Sequence, residues 1–175
     1  MTPMPSAGGG VVTKNLQIVH SDLGGPMLEP TRGGAPYFGT FTDDLSRWTD
    51  VVFLDKNSIC SLSEKNSLTR AQLHTGTKIE ILRSKNGGEY ASNAFKALHD
   101  ENGTTHQTTV PDTPQQNGVA ERLNRVLVEM ARTLVPHKKF DPSLWADAIK
   151  TAVYIKNRFS SGALPVSKMP FELWT

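Results

Sequence analysis

The chain has one cysteine, no long apolar run and little net charge. A lone Cys60 excludes an internal disulfide and a cysteine-based zinc centre, and it suits a reducing compartment. His20, His74, His99, His106 and His137 are scattered, so no zinc site is expected. No stretch approaches the roughly 18 consecutive apolar residues a membrane-spanning helix needs. A net charge of +2 over 175 residues is too small to argue by itself for a polyanionic partner. The opening Met1-Thr2-Pro3-Met4-Pro5-Ser6-Ala7 has neither the basic start nor the apolar core of a secretory signal. Together these absences predict an intracellular chain, nuclear or cytoplasmic, with no membrane contact.

Apolar residues at 37% and charged residues at 21% lie in the globular range. Residues 1–14 are rich in Gly, Pro and Ser and read as a disordered leader, leaving 15–175 as one domain. Leu16, Ile18 and His20 alternate with Gln17 and Val19 up to Ser21-Asp22, a strand stopped by Gly24-Gly25-Pro26. Tyr37–Thr42 and Asp50–Leu54 read as a hairpin turning through Asp43–Arg47. Residues 57–74 carry a thin helical pattern in which Ile59, Leu62 and Leu73 share a face. Lys78–Leu82 alternates as a strand that delivers Lys85 at its C-terminal end. A short helix over 90–101, with Phe95 and Leu98 inward, stops at Asn102-Gly103. Residues 104–110 end in a strand.

The strongest helical signal runs over 114–135. Thr113, Pro114 and Gln116 resemble a capping box with proline at the first helical position. Val119, Leu123, Val126, Leu127, Met130 and Leu134 then recur at helical spacing. Gly118 weakens the first turn, so the helix is expected to begin near Asn117 and 110–116 to form a mobile loop. A further helix over 142–158 turns Leu144, Trp145, Ala148, Ala152 and Ile155 inward, and Met169–Trp174 starts another. Hairpin strands followed by interleaved strands and helices indicate an α/β domain.

Two motifs sharpen that class. Leu82-Arg83-Ser84-Lys85-Asn86-Gly87-Gly88-Glu89-Tyr90 is followed by Thr113-Pro114-Gln115-Gln116-Asn117-Gly118-Val119-Ala120-Glu121-Arg122, with 35 residues between Lys85 and Glu121. With His20–Met27, Phe41–Arg47, Thr151–Tyr154, Asn157-Arg158 and Pro170–Trp174, this series closely resembles the catalytic core of copia-type retrotransposon integrases. The resemblance covers residue 16 to the end. It implies a ribonuclease-H-like fold, a five-stranded mixed sheet flanked by helices, and DNA integration with Mg²⁺ or Mn²⁺. A homodimer is compatible with it. It also implies that the chain is a core cut short on its C-terminal side, without the zinc-binding module and basic extension that flank such cores.

By that resemblance Asp22 and Glu121 are catalytic metal ligands, and Lys85 stands where the family has a second metal-binding aspartate. In-line phosphoryl displacement is served by two cations clamping the attacking and leaving oxygens, and hard cations need oxygen ligands. A protonated lysine offers no lone pair. The family's three carboxylates carry a charge of −3, whereas Asp22, Lys85 and Glu121 together carry −1. Outside the motif, Asp22 would read as a turn residue before Gly-Gly and Glu121 as an exposed helix residue pairing with Arg125. Within it, the expectation is an ion pair from Lys85 to Asp22 or Glu121 and an impaired enzyme. Asp43, Asp44 or Glu89 could in principle substitute as ligands, but their equivalents are ordinary features of the family. The competing reading is a non-catalytic DNA- or protein-binding module that kept the fold. Candidate nucleic-acid contacts are Gln115, Gln116, Asn117, Arg122 and Arg125, with Arg132, Lys138, Lys139 and Lys156 as further phosphate contacts. Any one of these cations equally suits a solvated helix face.

Overall fold

The computed structural model describes residues 12–55, 62–85, 90, 93–108, 118–135, 141–165 and 167–175. The strands are β1 (Ile18–Gly24), β2 (Tyr37–Asp43), β3 (Thr49–Leu54), β4 (Ile81–Ser84) and β5 (Thr105–Thr108). The helices are α1 (Leu62–Thr75), α2 (Asn93–Asn102), α3 (Gly118–Leu134), α4 (Trp145–Asn157) and the short α5 (Pro170–Trp174), with a 3₁₀ turn, Pro142–Leu144, leading into α4. Among the described residues the strands form one mixed sheet in the order β3-β2-β1-β4-β5. β1, β2 and β3 pair antiparallel, whereas β4 joins β1 and β5 joins β4 in parallel. This is the five-stranded mixed sheet expected from the sequence. No helix among the described residues is long and apolar enough to cross a membrane.

A strand's side chains alternate between faces, and the sheet uses both. Val19, Phe41, Val52, Leu54 and Leu82 pack on one face with Leu68, Tyr90, Phe95 and Trp174. On the other, Phe38 meets Leu127 and Ala131 of α3 and Trp145, Ile149 and Ala152 of α4. Phe38 packs so closely that a Cβ on Gly24 would lie 2.3 Å from its ring, so only glycine fits where β1 ends. Gly103 takes φ +68 and stops α2 at the predicted place.

Several expectations shift. β4 begins at Ile81 rather than Lys78, although Ile79 is buried just before it. In α1, Ser67 and Leu68 turn inward and Leu73 is 78% exposed, because the helix presents the 67–68–71 side to the sheet. The predicted partners Ile59, Leu62 and Leu98 have side chains outside the described residues, as does the Thr113 capping box. In α3 half of the expected apolar series holds: Leu127 is buried and Leu123 and Met130 pack against the core, whereas Val119, Val126 and Leu134 are exposed and the buried stripe is completed by Ala120, Asn124 and Ala131. Small side chains let α3 approach the sheet and α4 closely. The predicted leader falls largely on residues 1–11, outside the described set, while Lys14 already ion-pairs Glu80.

Candidate active site

β1 and β4 run parallel with His20 level with Arg83. Asp22 lies two residues further along β1, and Lys85 directly follows the end of β4. The first turn of α3 brings Glu121 beside them. The three residues predicted from the motifs therefore converge. Lys85 Nζ lies 3.1 Å from Glu121 Oε1 and 3.7 Å from Asp22 Oδ1. The predicted ion pair is formed to both carboxylates at once.

The three groups differ in exposure. Asp22 is buried, with 7% of its side chain exposed, whereas Lys85 at 46% and Glu121 at 45% are half-exposed. Burial raises the Asp22 pKa; the Lys85 charge opposes the rise and the Glu121 charge adds to it, leaving the net direction upward. Burial acts to lower the Lys85 pKa, but the hydrogen bond it donates to Glu121 and the charges of both carboxylates outweigh it and raise the value. Lys85 is therefore held as an ammonium by its neighbours.

Asp22 cannot retreat from this contact. Asn124 Nδ2 donates to Asp22 Oδ2 at 2.9 Å, and Thr40 Oγ1 donates to Asn124 Oδ1 at 2.7 Å. The Thr40 hydroxyl fixes the amide orientation, so the Asn124 NH₂ faces the carboxylate. Both residues are buried. Sequence reasoning missed them, though a signal existed: Asn124 is a polar residue three positions after Glu121 on the buried side of α3. Behind Lys85, His106 Nε2 lies 2.8 Å from Ser84 Oγ, and that hydroxyl donates to the Lys85 carbonyl at 3.0 Å. Burial lowers the His106 pKa, which favours the neutral imidazole.

The substitute carboxylates are engaged elsewhere. Asp43 accepts from the Leu16 amide and from the Ser46 amide and hydroxyl, each at 2.7 Å, which shapes the β2–β3 turn. Asp44 meets His20 at 3.0 Å and Arg47 at 2.9 Å. Burial opposes ionisation of Asp44, but the His20 hydrogen bond and the Arg47 charge hold its pKa below the ordinary value. Glu89 lies outside the described residues.

Arg122, Arg125 and Arg132 are exposed along α3, on the helix that carries Glu121. Gln115, Gln116, Asn117, Lys138 and Lys139 lie outside the described residues. Lys156 is corrected: its ammonium is turned inward, donating to the Arg47 carbonyl and, at 2.8 Å, to Thr49 Oγ1, so it is not presented to a phosphate.

A divalent cation fits this donor set poorly. Asp22 and Glu121 supply oxygen ligands, but the position between them is taken by a positive group without a lone pair. Among the described residues, no three His, Cys, Asp or Glu side chains converge as a metal-holding group.

Residues 12–114 match the family described as Integrase core domain. The chain is 42% identical over 163 residues to the Retrovirus-related Pol polyprotein from transposon TNT 1-94 of Nicotiana tabacum, across 91% of this chain and 12% of that polyprotein. It is 30% identical over 161 residues to the corresponding polyprotein from transposon RE2 of Arabidopsis thaliana, across 91% of this chain and 11% of that one. The chain thus spans about an eighth of the length of these curated relatives. Among solved structures, it resembles the HTLV-2 integrase catalytic core domain in complex with magnesium, trimeric form, with a TM-score of 0.66 and 16% identity over 93% of this chain and 98% of that one. It also resembles the simian T-cell lymphotropic virus intasome in complex with PP2A regulatory subunit B56 gamma, with a TM-score of 0.67 and 20% identity over 94% of this chain and 57% of that one. At these identities the structural likeness establishes the ribonuclease-H-like fold.

Proposed function

This chain belongs to the integrase core-domain family, in its copia-type retrotransposon branch, and on that premise we propose that it binds DNA while its Asp22–Lys85–Glu121 centre does not support strand transfer. The observation that carries this reading is the Lys85 ammonium, 3.1 Å from Glu121 and 3.7 Å from Asp22. The HTLV-2 core is in complex with magnesium; here Asp22 and Glu121 are the residues that would hold such an ion, and Lys85 opposes it. An ammonium about 4 Å from a divalent cation is repelled by roughly 8 kcal/mol, taking ~4 kcal/mol per unit-charge pair at an effective dielectric of 20. Swinging Lys85 into solvent removes most of that repulsion but still leaves a ligand missing. Asp43 and Asp44 are committed to the hairpin and do not supply it.

DNA binding is supported by a different set of atoms. Arg122, Arg125 and Arg132 are exposed along α3, the helix that carries Glu121, and guanidinium groups suit phosphate contact. Loss of the centre's chemistry leaves these contacts intact, so the same surface also supports the second reading, a non-catalytic DNA-binding module that kept the fold.

Titration of a labelled duplex at several salt concentrations tests the binding. The expected outcome is a linear fall of log affinity with log salt, its slope reduced by about 1 for each of Arg122→Ala and Arg125→Ala. Nicking and disintegration assays with Mg²⁺ or Mn²⁺ test the chemistry. No product is expected from the wild type, and Lys85→Asp is expected to recover partial reactions before full integration, which also needs DNA held in register. Robust wild-type product abolished by Glu121→Gln would overturn the impaired-centre reading.

A further inference from the structure

We infer that Lys85 is the resident counter-ion of the carboxylate corner, a tethered substitute for a divalent cation that makes the stability of this corner independent of Mg²⁺ and Mn²⁺. The inference rests on the assignment of Asp22 and Glu121 as the family's carboxylate pair and goes beyond lost catalysis: the substitution removes a requirement as well as an activity.

Two carboxylates aimed at one point repel each other, and the Glu121 charge indeed acts to raise the Asp22 pKa. Asp22 is not free to draw back: it is buried and held by Asn124, which Thr40 holds in turn. The first turn of α3 keeps the Glu121 backbone beside it, with the side chain half-exposed. Such a corner needs a positive charge between its carboxylates, and Lys85 provides one in contact with both. Its backbone is secured by the Ser84 hydroxyl on its carbonyl and by the β4 strand before it.

The tether decides the competition. A side chain delivered by its own strand meets the carboxylates at a high effective concentration and loses no translational freedom in doing so. Magnesium must shed strongly held water and gains only two protein carboxylates. To enter, it also has to displace the ammonium and break both ion pairs. Reduction of the corner from −2 to −1 by Lys85 further weakens its attraction for a second cation.

Melting curves of wild type, Lys85→Ala and Lys85→Asp in EDTA and in MnCl₂ test the inference without DNA or turnover. The wild-type midpoint should be the same in both. Lys85→Ala should melt lower than wild type in EDTA and recover by roughly 2–4 °C in MnCl₂, and Lys85→Asp should respond at least as strongly. Should the variants fail to fold, the electron paramagnetic resonance signal of free Mn²⁺, titrated with wild-type protein, still decides: an undiminished signal supports the inference. A one-to-one loss of that signal, prevented by Asp22→Asn, overturns it. So does a wild-type midpoint that rises with MnCl₂ as much as that of Lys85→Asp, or a Lys85→Ala variant as stable as wild type in EDTA and indifferent to Mn²⁺. Failure of the proposed function would be read separately, in absent DNA binding or in wild-type nicking.

Discussion

Lys85 and Lys156 are drawn into two corners of the molecule by opposite means. At the carboxylate corner, Lys85 stays half-exposed between Asp22 and Glu121 and its pKa is raised. At the hairpin corner, Lys156 reaches from α4 to the β2–β3 turn, where the Arg47 carbonyl, Thr49 Oγ1 and, at 3.4 Å, Asn157 Oδ1 accept from it. Burial, and then the Arg47 charge, lower its pKa to about 7. Among the described residues no carboxylate pairs with Lys156. The contrast shows that desolvation pushes both lysines toward the neutral form, and that formal negative charge reverses the outcome in one of them. At one corner the lysine is met by two carboxylates; at the other it is met by uncharged acceptors.

The largest expected effect breaks the hairpin corner. Asn157 is 2% exposed; it accepts from the Thr49 amide at 3.0 Å and donates to the Thr49 carbonyl at 2.8 Å. Asn157→Ala leaves both backbone groups buried without that partner, so unfolding free energy from urea titration should fall by about 2–4 kcal/mol.

The next effect sharpens the comparison through pH. Between about 7 and 10.5 the unfolded chain holds a proton on Lys156 that the folded chain has shed, so stability rises with pH across that window. Each pKa unit corresponds to ~1.4 kcal/mol, and the three acceptors around the ammonium limit the gain to about 1–3 kcal/mol. Lys85 acts with the opposite sign. Its folded pKa is raised, so its contribution is fully present below its ordinary value of 10.5 and is lost as pH rises through the folded value. Urea midpoints across pH should climb and then turn down, with Lys156→Met removing the climb and Lys85→Met the Lys85 share of the fall.

The smallest effect concerns charge alone. Lys85→Ala should cost about 0.5–1 kcal/mol at low salt, because Lys85 and Glu121 are half-exposed and screened by water even though Asp22 is buried. Raising the salt concentration should shrink the difference from wild type. The Asn157→Ala deficit should persist under the same salt, since it arises from unmade hydrogen bonds.

These corners also mark what the sequence could and could not tell. The Lys85 position was legible because its motif and the one around Glu121 resemble those of the integrase core, a resemblance that implies both meet at one site, where opposite charges favour an ion pair. The hairpin was legible from its alternation of aromatic and β-branched residues. Lys156 was not, because the direction of a helical lysine depends on what packs against the helix, and the Arg47 carbonyl lies more than a hundred residues away. Asn124 escaped notice for a related reason: the apolar period of α3 was traced through large residues, whereas tight packing selected Ala120 and Ala131 and the Asp22 carboxylate selected an amide.

The most direct test of the account is a crystal of the wild-type chain soaked in MnCl₂, with anomalous scattering recorded at the manganese edge. The account predicts no manganese peak between Asp22 and Glu121, and density for the Lys85 side chain reaching both carboxylates. A manganese ion bound by both carboxylates, with Lys85 turned out to solvent, would contradict it.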